Sequence, residues 1–132
     1  MQAKYAFLMA VGGVALGAAA GSMVTTVIAQ TNAPYYQVVE INVKDQAGYE
    51  SSGVKEVRAA QDAVGGKLVA GGYNKAAGLI GDPPANRYLI IQYPSKAAND
   101  KHFTENVKPW WESEGRKYSD FRAVGAEGVA PK

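Results

Sequence analysis

Cysteine is absent from this chain of 132 residues, and histidine occurs once, at His102. Without cysteine no disulfide can hold the fold together, so stability has to come from a packed core or from association with another subunit. The scarcity of both residues also removes the usual ligands of a structural zinc or iron–sulfur site, and no EF-hand calcium loop is present. We therefore expect neither a metal nor a cofactor.

Blocks of one charge sign are also missing. The formal net charge is +2, and 14 basic and 12 acidic residues alternate along the chain. The absence of a basic patch argues against nucleic acid as a partner. No Ser-His-Asp order, phosphate-binding loop or paired metal-ligand spacing occurs, which excludes the enzyme classes that those motifs identify.

One long hydrophobic run is present, at the start of the chain. Residues Tyr5–Ala29 carry no charge, follow the basic Lys4, and end in small or β-branched residues. This pattern predicts a signal peptide over residues 1–29 and a protein that is periplasmic or secreted. The alternative is a retained anchor that faces the periplasm, because the run is long enough to span a bilayer. Its richness in alanine and glycine rather than leucine and isoleucine favours cleavage.

Downstream of this run, residues 30–132 are long enough for one domain and too short for two. Alternating apolar residues predict a first strand over 35–43. Asp45 is placed to cap a helix that continues to Gly65-Gly66. A second strand is expected at 67–70, with a turn at the following glycine pair and an irregular continuation at 75–80.

The second half of the domain repeats this alternation of strand and helix. Ser95 is placed to cap a second helix, and Pro109 is expected to interrupt it. The third strand is apolar on both faces, which is typical of a central strand covered on both sides. The bounds predicted here are a strand at 87–93, a helix at 96–107, helical turns at 110–117 and a strand at 121–129.

The resulting order is β-α-β-β-α-β, which is the ferredoxin-like arrangement of the α+β class. It places two helices on one face of a four-stranded sheet and leaves the other face open. Because the third strand is apolar on both faces, the open face needs a cover that this chain cannot supply. The simplest cover is the same face of a second subunit, so we expect a homodimer.

Several stretches carry a family resemblance, and they are 36–49, 65–72, 84–95, 118–124 and 127–129. Together they resemble the bacterial domain of unknown function 1330 family, whose members are small dimeric α+β barrel proteins. The resemblance implies that fold, preceded by a signal helix as in exported members. It implies no activity, because the family has no established one.

Two residues are candidates for catalysis. His102 is the only side chain whose ordinary pKa lies near neutrality, so an acid–base role falls to it first. Tyr49, in the first helix, is the second candidate. The simpler interpretation of His102 is an exposed or half-buried histidine on the flank of its helix.

Five residues are candidates for ligand binding, and they are Arg87, Tyr36, Asn74, Trp110 and Trp111. Arg87 could bind a carboxylate through its forked donors, although an ion pair with Glu40, Asp82 or Asp120 is the simpler interpretation. The adjacent tryptophans point about 100° apart on a helix. One is therefore expected in the core, and the other at a dimer seam or a pocket mouth.

Three functions stay open at this point. The first is a periplasmic protein that binds a small organic molecule, acidic or aromatic, in a pocket between helices and sheet. The second is a cofactor-free enzyme of monooxygenase or isomerase type on the same scaffold, which rests on analogy alone. The third is a structural or partner-binding protein of the envelope that uses an exposed aromatic near Trp111.

Overall fold

Four antiparallel strands form one sheet in the computed structural model, which describes residues 33–129. The strands are β1 at Tyr35–Val43, β2 at Lys67–Tyr73, β3 at Arg87–Tyr93 and β4 at Ser119–Glu127. Their order across the sheet is β2-β3-β1-β4, so β1 and β3 are central. The predicted signal segment, residues 1–29, lies outside the described residues.

The helices cover one face of this sheet. They are α1 at Gln46–Ser51, α2 at Val54–Ala63, α3 at Lys96–His102, α4 at Lys108–Trp110 and α5 at Arg116–Tyr118, with π-helical turns at Phe103–Val107 and Trp111–Gly115. The predicted α+β class and the β-α-β-β-α-β order are confirmed, with each predicted helix replaced by a series of shorter ones. Within residues 33–129, no helix has the length and hydropathy needed to cross a membrane.

The core lies between the sheet and the helices. Along β1 the side chains alternate between buried and half-buried, as expected for a strand with one covered face. The buried cluster consists of Val39, Ile41, Val43, Tyr49, Val54, Ile91, Tyr93 and Trp110. The opposite face of the sheet is not covered by any helix of the described chain.

An apolar row crosses this open face at the level of Val38. Strand pairing aligns Val38 with Ile90 of β3 on one side and with Val124 of β4 on the other. Ala70 of β2 continues the row beyond Ile90. Ile90 is 36% exposed and Val124 58% exposed, so the row meets solvent in a single chain.

The first helical segment differs from its prediction. Asp45 caps α1 as expected, accepting a hydrogen bond from the Gly48 backbone N–H at 3.1 Å. The predicted continuous helix to Gly65-Gly66 is wrong, because the chain breaks at Ser52 and Gly53. Gly53 has a φ of 89°, in the left-handed region that favours glycine, and α2 begins after it.

The second strand also differs from its prediction. β2 continues through the glycine pair to Tyr73, and a bulge between Leu68 and Ala70 shifts its register. Gly71 has a φ of 100°, and a Cβ there would overlap the carbonyl oxygen of Tyr88. Gly71 therefore lets the backbones of β2 and β3 approach closely, and it does not form the predicted turn. The predicted continuation at 75–80 is wrong, since these residues form no strand.

Pro109 does not interrupt the second helical segment, contrary to expectation. The chain stays helical from 96 to 118, and Pro109 lies two residues after the π-helical turn Phe103–Val107. The wider backbone spacing of a π turn accommodates a residue without an N–H donor. The cap by Ser95 is confirmed, because its hydroxyl accepts a hydrogen bond from the Ala98 N–H at 3.2 Å. β4 begins at Ser119, two residues earlier than predicted.

Candidate functional site

A narrow cavity of about 50 Å³ lies between the sheet and the helices. Its walls are mainly aliphatic side chains of β1, β3 and α2, and its polar or aromatic lining residues are Gln37, Tyr49, Arg58, Gln61, His102, Trp110 and Phe121. An engineered cavity of about 150 Å³ holds one benzene molecule. This cavity therefore has room for a few heavy atoms. Apolar walls with a few converging polar groups are typical of a small-molecule site.

Tyr49 and Trp110 form the aromatic part of the cavity wall. Their rings meet edge to face, with centroids 5.8 Å apart and planes at 81°. The indole Nε1 of Trp110 donates hydrogen bonds to the carbonyl oxygen of Ser52 at 3.0 Å and to the Ser52 hydroxyl at 3.1 Å. The first of these bonds gives a donor to the Ser52 carbonyl, which the helix break leaves without a helical partner. Together the two bonds hold the indole against the Tyr49 ring.

The Tyr49 phenol stays neutral. Its side chain is 1% exposed, and burial raises its pKa while the charges of Arg87 and Arg58 partly offset that effect. A neutral phenol donates a hydrogen bond and does not act as a base near pH 7. Tyr49 can therefore donate a hydrogen bond to a ligand oxygen in the cavity.

A cluster of two arginines and one glutamate lies beside the tyrosine. Arg58 donates from Nη1 and Nη2 to the two carboxylate oxygens of Glu50, at 3.2 and 3.0 Å. Nη1 of Arg87 lies 3.5 Å from Glu50 Oε1. The hydrogen bonds from Arg58 hold the pKa of Glu50 below its usual range, against the opposing effect of burial. Two guanidinium charges thus meet one carboxylate.

Arg87 has capacity to bind a further acceptor. Its side chain is only 12% exposed, and its guanidinium carbon lies 5.5 Å from the centre of the Tyr49 ring. Its Nε is buried and has no hydrogen-bond acceptor among residues 33–129. A buried guanidinium N–H normally has an acceptor, so Arg87 keeps one unused donor next to Tyr49, although Arg87 itself does not line the cavity.

The ion pairs predicted for Arg87 do not form. Glu40 pairs with Arg122 at 2.5 Å across the sheet. Asp120 pairs with Lys44 at 2.8 Å. Strand pairing places Arg87 beside Ile41, on the face that the helices cover, whereas Glu40 and Asp120 lie on the open face of the sheet. Asp82 forms no ion pair with Arg87 in the described chain. Glu50 from α1 is the partner instead.

His102 is buried within a hydrogen-bond network and is 2% exposed. Nε2 lies 2.9 Å from the carbonyl oxygen of Val57, and Nδ1 lies 2.8 Å from the hydroxyl of Tyr93. Since a carbonyl only accepts, Nε2 carries the proton and the Tyr93 hydroxyl donates to Nδ1. Burial lowers the pKa of His102, while the bond to Val57 opposes the shift. The expected exposed or half-buried position is therefore wrong, and a catalytic role would require one of these bonds to open.

The remaining candidates lie outside the cavity. Trp111 is half-buried and stacks on Phe121 with ring centroids 5.3 Å apart. Tyr36 lies on the open face of β1, and Asn74 follows β2 with a φ of 52° and donates its N–H to the Asn86 carbonyl at 2.7 Å. The structure thus brings Tyr49, Trp110 and His102 to one cavity with Arg87 beside it. Within residues 33–129 no group of three or more acidic or histidine side chains is placed to hold a metal ion.

Sequence reasoning missed Glu50 and Arg58. They are eight residues apart, and on one continuous helix that separation would place their backbones about 12 Å apart along the axis. The chain breaks at Gly53, and across this break the two side chains form a bidentate pair. A glycine in the middle of a predicted helix, flanked by opposite charges, was the signal in the sequence.

Comparison with known proteins indicates the fold alone. No protein-family model matches the chain, and no curated protein sequence is significantly similar to it. The crystal structure of RPA0582, a protein of unknown function from Rhodopseudomonas palustris, is similar with a TM-score of 0.58 and 18% identity, covering 83% of this chain and 94% of that one. The structure of methylated RPA0582 is similar with a TM-score of 0.58 and 17% identity, covering 83% of this chain and 92% of that one.

A third solved structure is more distant. It is a conserved protein of unknown function from Bacteroides thetaiotaomicron VPI-5482, described as a possible oxidoreductase, with a TM-score of 0.46 and 11% identity. It covers 73% of this chain and 98% of that one. The α+β fold is shared with RPA0582.

Proposed function

We propose that this protein binds a small organic molecule, acidic or aromatic, in the cavity between the sheet and the helices. The observation that carries the proposal is a cavity with aliphatic walls, the rings of Tyr49 and Trp110, and the guanidinium of Arg58 among its lining groups. Such a combination holds an apolar portion of a ligand by burial and orients its polar end by hydrogen bonds. The volume of about 50 Å³ restricts the enclosed portion to a few heavy atoms.

The proposed setting is an exported homodimer that belongs to the bacterial domain of unknown function 1330 family. Export is supported by the uncharged run Tyr5–Ala29, and the dimer by the apolar row on the open sheet face. The occupant of that face is a second copy of this chain. The Glu40–Arg122 ion pair lies beside the row, so two faces related by a two-fold axis can bring opposite charges together.

The two tryptophans provide a direct test by nuclear magnetic resonance. Trp110 lines the cavity and Trp111 does not, so a ligand in the cavity should shift the indole N–H signal of Trp110 and leave that of Trp111. The purified protein is titrated with a panel of short aliphatic acids, amides and phenols, and the two signals are assigned with the Trp111→Phe variant. At least one compound should shift the Trp110 signal in a saturable way and raise the melting temperature.

The result that would overturn the proposal is equally clear. If no compound of the panel shifts the Trp110 signal, the cavity is a packing defect and does not bind ligands. If a compound shifts both indole signals equally, it binds at the surface. A matched control is the Val57→Leu variant, which fills space at the cavity wall and should weaken any binding inside it.

A further inference from the structure

We propose that the ligand of this cavity is a short aliphatic carboxylate, and that its carboxylate takes the place of Glu50 on Arg58 when it binds. This inference rests on the proposed function, because it identifies the class of molecule that the same cavity accepts. It assigns to Glu50 the role of an internal counter-ion that the ligand replaces.

Charge balance favours an anion at this place. Arg58 and Arg87 both face Glu50, and Lys55 of α2 adds a third positive charge to the surroundings of that carboxylate. One carboxylate therefore faces an excess of positive charge next to a largely apolar cavity. A second anion would neutralise part of that excess, and the guanidinium of Arg87, which has the least exposure to water of the three groups, would be stabilised most by such pairing.

Donor geometry favours a carboxylate among anions. Arg58 presents two parallel N–H groups, and Glu50 already occupies them in the bidentate arrangement that planar carboxylates adopt. Nε of Arg87 is a further donor that Glu50 does not use. A ligand carboxylate held by Arg58 with an oxygen toward Arg87 would use donors of both arginines.

Exposure indicates that Glu50 can leave. Its side chain is 32% exposed and that of Arg58 is 40% exposed, whereas Arg87 is 12% exposed. A carboxylate that already contacts water loses little on rotating outward. The fixed parts of the site are then Arg87 and Tyr49, and the exchangeable part is the contact between Glu50 and Arg58.

Cavity size sets the length of the ligand. With about 50 Å³ available, the enclosed part is an acyl chain of two or three carbons and not an aromatic ring. Of the two ligand classes in the proposed function, this favours the acidic one. The probe of choice is propionate, and propionamide is its neutral counterpart of nearly the same shape.

The test measures binding of both probes by titration calorimetry or by the Trp110 indole shift, in buffer free of carboxylates and at low salt. Wild-type protein should bind propionate about tenfold more tightly than propionamide, since charge-assisted hydrogen bonds to arginine are lost in the amide. Glu50→Gln should tighten propionate binding about threefold or more and leave propionamide unchanged, because the competing charge is gone. Glu56→Gln, an exposed change of the same charge on α2, is the matched control and should change neither.

Each other outcome overturns a distinct claim. Equal affinity for the two probes overturns the carboxylate assignment and leaves the binding function standing. If neither probe nor any other compound of the panel binds, the proposed function fails together with this inference. If Glu50→Gln weakens propionate binding, or changes it no more than Glu56→Gln does, then Glu50 is a fixed clasp between α1 and α2 and is not exchanged. The comparison of propionate with propionamide uses wild-type protein alone, so the carboxylate assignment stays testable even if Glu50→Gln folds poorly. The Arg58→Gln variant tests the same assignment a second time, because it should abolish the preference for propionate.

Discussion

The Tyr93 hydroxyl donates a hydrogen bond to Nδ1 of His102 across 2.8 Å, and both side chains are buried. This contact joins β3 to α3, and the second ring nitrogen of His102 joins α3 to the Val57 carbonyl of α2. The imidazole therefore connects three elements in its neutral form. Protonation of His102 would add a hydrogen to Nδ1, which would then be a donor. The Tyr93 hydroxyl could no longer donate to Nδ1 and would have to rotate to accept from it.

The protein should lose stability as the pH falls below about 6.5, the ordinary value for histidine in an unfolded chain. Burial lowers the pKa of His102 in the folded state. The unfolded chain thus takes up a proton first, and stability that is present above pH 6.5 declines toward the folded-state pKa. The slope is at most about 1.4 kcal/mol per pH unit for one proton.

The measurement is the melting temperature or urea midpoint between pH 7.5 and 5.5, compared with His102→Gln. His102 is the only histidine in the chain, and carboxyl groups with ordinary pKa values titrate below this range. The variant should start from a lower stability and have a nearly flat profile. An unchanged slope in the variant would contradict the assignment of the pH dependence to His102.

Tyr93→Phe should destabilise the fold by about 1–3 kcal/mol, because Nδ1 of His102 would stay buried without its donor. The ring itself is kept, so packing changes little. The measurement is the free energy of unfolding in urea at pH 7.5. Tyr73→Phe is the control, since Tyr73 is 39% exposed and the change should stay within about 0.5 kcal/mol. Similar losses in both variants would show that the hydroxyl of Tyr93 contributes nothing specific.

Local signals in the sequence predicted the two central strands and two helix starts well. Asp45 and Ser95 cap helices where expected, and β1 and β3 match their predicted bounds, because caps and alternating burial depend on nearby residues. The Gly53 break and the passage of Pro109 through a helix were missed. At the break, Trp110 forms a contact with Ser52, 58 residues away along the chain, which local preference does not reveal. At Pro109, a preceding π turn replaces the regular helical spacing on which the prediction relied.

The candidate site was predicted only in part for the same reason. Tyr49, Trp110 and His102 were singled out by residue type, and all three line the cavity. The cluster of Glu50, Arg58 and Arg87 depends on the direction that α2 takes after the break, and Gly53 signals the break but not that direction. Aromatic residues and histidine are thus visible in the sequence as candidates. Ion pairs across a helix break become visible only in the fold.

Trp110→Phe should destabilise the fold by about 1–3 kcal/mol, because the Ser52 carbonyl loses its indole donor and the smaller ring leaves a void. The enlarged cavity should also admit larger apolar compounds. Unfolding in urea and binding of a small aromatic compound are the two measurements. Trp111→Phe is the control, because the Trp111 indole forms no hydrogen bond among residues 33–129. This variant should lower the free energy of unfolding by less than about 1 kcal/mol and leave binding unchanged. Equal losses in the two variants would remove the special role of the bond to Ser52.

The apolar row on the open sheet face leads to a prediction about assembly. Val38 lies between Ile90 and Val124 in this row, and Ile90 lies on a central strand, between Val38 and Ala70. A charge placed there would be buried without a partner if a second copy covers the face, whereas water would solvate it in a monomer. Ile90→Glu should therefore convert the purified protein from two-chain to one-chain mass in light scattering after size exclusion.

Ala59→Glu is the control for this prediction. It adds the same charge at an exposed position of α2, on the helical side of the sheet, and should keep the mass of the wild type. A wild-type protein of one-chain mass at micromolar concentration would contradict the dimer directly, and a two-chain Ile90→Glu protein would place the contact on another surface.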